Sequence, residues 1–148
     1  MSYPYKYYQY LNLPSVPKDI FVNYNFDEYE KKVQGVVNPG YVWTDSFNYS
    51  IDKWCKENVC ADVYFAFQII KTDIDIHIDN QTKIKFLYIL ETGGNDVITE
   101  WYSEDKKTVV NSVVLEPNKW CMIKVDSPHS VKNVESGKTR FSITGRLF

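Results

Sequence analysis

From Ala61 onward the chain breaks into eight short runs rich in Val, Ile, Thr, Phe and Tyr, each closed by turn-forming residues. The runs are Val63 to Ile70, Ile74 to Asp79, Ile84 to Leu90, Val97 to Tyr102, Thr108 to Leu115, Trp120 to Val125, Ser130 to Val134 and Thr139 to Leu147. Between them stand Asp79-Asn80, Gly93-Gly94-Asn95, Glu104-Asp105, Pro117-Asn118 and Ser136-Gly137, residues that favour tight reversals. No stretch approaches the roughly 18 consecutive apolar residues of a membrane helix. The second run alternates at period two: Ile74, Ile76 and Ile78 fall on one face, and Asp73, Asp75, His77 and Asp79 on the other. Buried carboxylates need partners, so a cation or water is expected on the polar face, and the isoleucine face has to be covered.

Eight antiparallel strands in so short a span predict a mainly β fold, a double-stranded β-helix or cupin-like jelly roll, better than an immunoglobulin-like sandwich. Residues 1–60 differ in character. Pro14, Pro17, Pro39 and Gly40 interrupt them, and the pattern predicts two short helices, Asp27 to Val33 and Ser50 to Asn58, packed outside the barrel. With 148 residues, one domain is expected, residues 1–60 covering a jelly-roll core over 61–148.

The sequence contains two histidines, His77 and His129, so any histidine-based site must use them. His77 and Asp79 share a strand face at their spacing of two, and His129 returns 50 residues after Asp79. Two imidazoles and one carboxylate on one side of a metal leave the opposite positions open, which suits non-haem iron(II) that admits a co-substrate and O2. Alone, a His-x-Asp pair is a weak signal. Arg140 follows His129 by 11 residues and shares its strand face with Ser142. A guanidinium fork beside a hydroxyl matches the carboxylate of a small diacid.

The pattern His77-x-Asp79, His129, Arg140-x-Ser142 resembles the iron(II) and 2-oxoglutarate-dependent oxygenase superfamily over roughly Ala61 to Phe148. The resemblance implies that His77, Asp79 and His129 are iron ligands and catalytic residues, and that Arg140 and Ser142 bind the distal carboxylate of 2-oxoglutarate. It implies Tyr88 as an assisting residue on the following strand, with Lys83 and Lys85 as alternatives. It also implies an enzyme, a dioxygenase that couples decarboxylation of 2-oxoglutarate to succinate and CO2 with oxidation of a substrate C–H bond, usually hydroxylation. Two other readings are a metal-binding cupin-like protein without oxygenase activity, which leaves Arg140-x-Ser142 without a purpose, and a structural jelly roll whose His-x-Asp is incidental.

Candidates for substrate contact are Trp101, Tyr102 and Asn111, for each of which core or strand-edge packing is an equal account. Arg146 reads as a surface or terminal charge, and Gly93-Gly94-Asn95-Asp96 as a plain hairpin turn. The primary substrate, a small molecule or a peptide side chain, is not legible, nor is the oligomeric state. The net charge is −2 with scattered lysines, which gives no nucleic-acid signature. The first residues lack a basic segment followed by an apolar one, so a cytoplasmic location is expected. Cys55, Cys60 and Cys121 are expected as reduced, packed thiols. The crowd Tyr3, Tyr5, Tyr7, Tyr8 and Tyr10 is expected to pack over a sheet face, with a ligand-stacking platform as the alternative.

Overall fold

The computed structural model describes residues 6–21, 43–80 and 82–147. All eight expected strands are present, each end within two residues of its expected position. They are β3 (Phe65–Ile70), β4 (Ile74–His77), β5 (Ile84–Thr92), β6 (Ile98–Tyr102), β7 (Val109–Val113), β8 (Trp120–Lys124), β9 (His129–Lys132) and β10 (Arg140–Leu147). Two further strands, β1 (Tyr8–Tyr10) and β2 (Trp43–Phe47), come from the segment expected only to cover the barrel. The sheets are antiparallel, with orders β1-β8-β5-β10-β3-β2 and β4-β9-β6-β7. The eight strands from β3 onward are thus shared four and four between two sheets, alternating except at the β6–β7 hairpin, as in a double-stranded β-helix. β1 and β2 pair with β8 and β3 and form the two edges of the larger sheet.

Among the described residues one α-helix, α1 (Tyr49–Asn58), matches the second expected helix; the first, Asp27 to Val33, lies outside the described residues. Asn48 caps α1, its Oδ1 accepting the Ile51 N–H at 3.0 Å. The buried Asp52 carboxylate fastens the helix to the sheet, accepting the backbone N–H of Phe65 at 2.8 Å and Lys56 Nζ at 3.1 Å. Lys56 Nζ also donates to the Val63 carbonyl at 2.6 Å, so both ends of this ion pair reach the chain entering β3.

Period two sorts the large sheet into an outer and an inner face. Ile84, Phe86 and Tyr88 of β5, Phe65, Phe67 and Ile69 of β3, Trp120 and Met122 of β8, and Ile143 of β10 form the outer core with Ile51 and Cys55 of α1 and Val16. Leu87, Ile89, Cys121, Ile123 and Val125 point between the sheets and meet Trp101 and Leu115. Tyr7, Tyr8 and Tyr10 close this second core: the Tyr8 ring stacks on Trp101 at 6.0 Å between centroids, and Tyr7 lies 5.6 Å from it. The described N-terminal tyrosines are therefore packing residues. Toward His77 and His129, the space between the sheets is left open.

Candidate active site

That open space is a cavity of about 320 Å3, walled by Ile70, Ile74, Leu87, Ile123, Val125 and Val131 and carrying His77, Asp79, His129, Gln68, Lys85, Arg140 and Arg146 among its polar groups. His77 and His129 are register partners across the β4–β9 pairing, which brings their rings to 4.3 Å between centroids. Asp79 lies just past the end of β4, its backbone N–H donating to the Val125 carbonyl at 2.9 Å. Both imidazole Nε2 atoms converge on one oxygen, Asp79 Oδ1, at 3.2 Å from His77 and 3.3 Å from His129. One ligand atom from each of the three lies within 4.8 Å of the others.

The two histidines are oriented by the same local device. His77 Nδ1 meets the Asp75 carbonyl at 2.7 Å and His129 Nδ1 meets the Ser127 carbonyl at 2.8 Å. A carbonyl only accepts, so each Nδ1 carries a proton and each Nε2 is left to face the centre, the tautomer a metal ligand needs. Burial raises the Asp79 carboxyl, but the hydrogen bonds from His129 and His77, with Lys85 nearby, outweigh it and hold the carboxyl well below its usual range. The hydrogen bond to Asp79 raises His77; its partial burial opposes this, the Asp75 carbonyl adds to it and Lys85 subtracts. A carboxylate anion flanked by two fixed imidazoles is a donor set that fits a divalent transition metal.

The expected period-two face of Asp73 to Asp79 is corrected here. Ile74 pairs with Val131 and His77 with His129, so four residues of β4 lie opposite three of β9, a β-bulge. The bulge turns Ile74 onto the face of His77, and Ile74 and Ile78 line the cavity instead of being covered by the N-terminal segment; Ile78 is 46% exposed.

Arg140 and Ser142 lie on the inner face of β10, 3% and 1% exposed. Arg140 Nε and Ser142 Oγ are buried and make no hydrogen bond. Among the described residues no carboxylate pairs with the guanidinium, and burial lowers it to about 10. Gly93, at φ +81°, lets the β5–β6 turn close on this residue, since a Cβ there would come within 3.1 Å of Arg140 Cβ and N. On its other side Arg140 also lines a second cavity of about 230 Å3, bounded by Ile89, Val97, Leu115 and Pro117 and by the Gly94-Asn95 turn. That turn is tied down by Glu135, whose carboxylate accepts the Asn95 N–H at 2.9 Å and whose own N–H donates to the Gly93 carbonyl at 2.9 Å.

Other expected site residues fall elsewhere. Tyr88 faces the outer core, 5.0 Å from Trp120 between ring centroids, because its position has the parity of Ile84 and Phe86. The alternative Lys85 has the opposite parity, lines the cavity and donates to Gln68 Oε1 at 3.0 Å. Lys83 does not line the cavity. Trp101 is fully buried, its Nε1 donating to the Lys124 carbonyl at 2.8 Å, and Tyr102 is buried with its hydroxyl 2.8 Å from Ser130 Oγ. Neither these nor the half-buried Asn111 of β7 lines the cavity. Arg146, expected as a surface charge, lines it. Its spacing of six from Arg140 puts both on one strand face, a signal present in the sequence.

No family model matches the sequence, and neither does any curated protein. Among solved structures the fold is that of prolyl hydroxylases. A prolyl hydroxylase from Trichoplax adhaerens superposes with a TM-score of 0.53 at 14% identity, over 95% of this chain and 83% of that one. A prolyl-4-hydroxylase from Pseudomonas putida gives 0.52 at 14% identity, over 95% and 91%. EvdMO1 gives 0.57 at 12% identity over 95% of this chain, which spans 46% of the length of EvdMO1. The likeness is one of fold, within which this chain carries its own His-Asp-His cluster. Among the described residues no helix is long and apolar enough to cross a membrane.

Proposed function

We propose that the protein is an iron(II) and 2-oxoglutarate-dependent oxygenase, a hydroxylase of a substrate C–H bond. The observation that carries this reading is the pair of orphaned buried groups, Arg140 Nε and Ser142 Oγ, beside the cavity that holds the histidine–aspartate cluster. A buried guanidinium without a counter-charge is costly, and so is a buried hydroxyl without a partner. Arg140 lines that cavity and Ser142 follows it on the same strand face without lining it; a carboxylate entering the cavity satisfies the guanidinium, and a ketoacid reaching from Arg140 to the cluster is the ligand that uses both ends.

In this reading His77, Asp79 and His129 hold iron(II) through Nε2, a carboxylate oxygen and Nε2, occupying one side and leaving the other to co-substrate. Iron(II), when bound, supplies the redox chemistry that couples decarboxylation of 2-oxoglutarate by O2 to oxidation of the substrate. Arg140 and Ser142 bind the distal carboxylate and fix the direction of the ketoacid. Ile74, Leu87, Ile123, Val125 and Val131 exclude water from the space between the two.

The test is anaerobic titration of the iron(II)-loaded protein with 2-oxoglutarate, observing the weak visible charge-transfer band of a chelated ketoacid, with His129→Ala as control. A band in the wild type that is lost in the variant supports the proposal. Bound iron without a band leaves a metal-binding cupin-like protein, and failure to bind iron leaves a structural jelly roll.

A further inference from the structure

Gln68 is a buried amide in the wall of the cavity. It lies on β3, is 4% exposed and lines the cavity together with Arg140, whereas Ser142, which follows Arg140 on the inner face of β10, does not. The β3–β10 register sets Ile70 opposite Arg140 and Gln68 opposite Ser142, without a shift between the two pairs. Gln68 is therefore the diagonal neighbour of Arg140 on one sheet face, a separation of about 7–8 Å that long side chains span.

The amide has a fixed direction. Lys85 Nζ meets Gln68 Oε1 at 3.0 Å, and an ammonium only donates, so the oxygen is the atom turned to Lys85. Nε2 and its two N–H groups are left to the other edge of the amide, and among the described residues no acceptor takes them. A guanidinium and, diagonal to it, an amide showing its donor edge make a wall that receives oxygen atoms. Asp79, the one acid among the described lining residues, is engaged by the two histidines and leaves both groups to a ligand.

Resting on the oxygenase reading, we propose that Gln68 donates to the distal carboxylate of 2-oxoglutarate alongside Arg140, and that this donor makes the site prefer a 2-oxo diacid to a 2-oxo monoacid of equal length. Arg140 supplies the charge from β10, and Gln68 supplies neutral N–H donors from β3. The carboxylate is then held from two strands, which directs the ketoacid at the cluster. Lys85 is a positioning residue, acting on the ligand through the amide oxygen.

The test is anaerobic titration of the iron(II)-loaded protein with 2-oxoglutarate and, separately, with 2-oxopentanoate, which carries a methyl where 2-oxoglutarate carries its distal carboxylate. Both are read by the visible band. Gln68→Met, close in length and without donors, is expected to weaken 2-oxoglutarate about ten-fold or more and to leave 2-oxopentanoate within about two-fold. Gln68→Glu separates a ligand contact from a structural one. A glutamate keeps the acceptor for Lys85, so a merely structural role predicts a mild effect, whereas a donor to the carboxylate predicts a loss for 2-oxoglutarate larger than that of Gln68→Met. Unchanged 2-oxoglutarate affinity in Gln68→Met, equal weakening of both ketoacids, or a milder loss in Gln68→Glu than in Gln68→Met would overturn the assignment of Gln68 while the wild-type band stands. A wild type that binds iron and gives no band with either ketoacid would overturn the oxygenase reading and this assignment with it.

Discussion

His77 and His129 stand opposite each other in the β4–β9 register, and each ring is fixed through Nδ1 by the carbonyl two residues before it, Asp75 and Ser127. Both Nε2 atoms face Asp79 Oδ1, at 3.2 and 3.3 Å, and because Nδ1 is committed to a carbonyl, His77 donates to that oxygen in its protonated form, placing a proton where a metal would bind.

The consequence is a reversal of pH dependence on metal loading. His77 is raised above its ordinary 6.5, so its contribution to apo stability is complete below that value and is lost as pH rises through the folded value. Asp79 is lowered below 3.8, so its contribution is complete above that value and is lost as pH falls. The cluster therefore contributes most to the apo protein between about pH 4 and 6.5. Metal binding displaces the imidazole proton, so metal-loaded protein gains stability as pH rises past that window. Thermal unfolding from pH 4 to 8, with and without manganese(II), checks both slopes. Parallel curves would exclude the cluster as the metal site.

Arg140 is buried with an Nε that makes no hydrogen bond. Replacing this unpaired buried guanidinium by methionine, similar in length and apolar, is expected to stabilise the apo protein by about 1–4 kcal/mol. On the proposed oxygenase function, the same change is expected to abolish the 2-oxoglutarate band while leaving iron bound. Urea unfolding and the anaerobic titration read the two effects separately.

Asp52 is a structural carboxylate. Asp52→Ala strands the buried Phe65 N–H and removes the ion-pair partner of Lys56, with an expected loss of about 1–3 kcal/mol. Metal affinity is expected to be unchanged, because α1 packs on the outer face of the large sheet. Denaturant melts and metal titration of one preparation decide it.

Burial pushes the thiols of Cys55 and Cys121 up to about 12. At pH 8 only about one molecule in 10,000 then carries the thiolate at either position. A thiol-reactive dye is expected to modify the half-buried Cys60 in native protein, and all three cysteines after denaturation. Mass mapping of the modified residue gives the answer.

The eight barrel strands were legible because β-branched and aromatic runs alternate cleanly with turn chemistry, and the cluster was legible because two histidines leave few combinations. The edge strands were not: Tyr8–Tyr10 is three residues long, and Trp43–Phe47 carries Thr, Asp and Ser in sequence, without the apolar run that marks a strand. The bulge at β4 was invisible because period two presumes unbroken pairing. Tyr88 illustrates a parity problem, since its distance from the cluster cannot say which face of β5 turns inward. The partnering of Lys85 with Arg146 and of Tyr88 with Ile143 settles that question.

Arg140 borders two cavities, one toward the metal cluster and one toward the Gly94-Asn95 turn. Its side chain is thus a stopper in the long axis of the barrel as well as a charge. Cutting it back to alanine would join the two spaces into a passage between the sheets, admitting solvent behind the co-substrate. Loss of activity in such a variant would report a leak as much as a missing guanidinium, whereas methionine keeps the bore plugged while removing the charge.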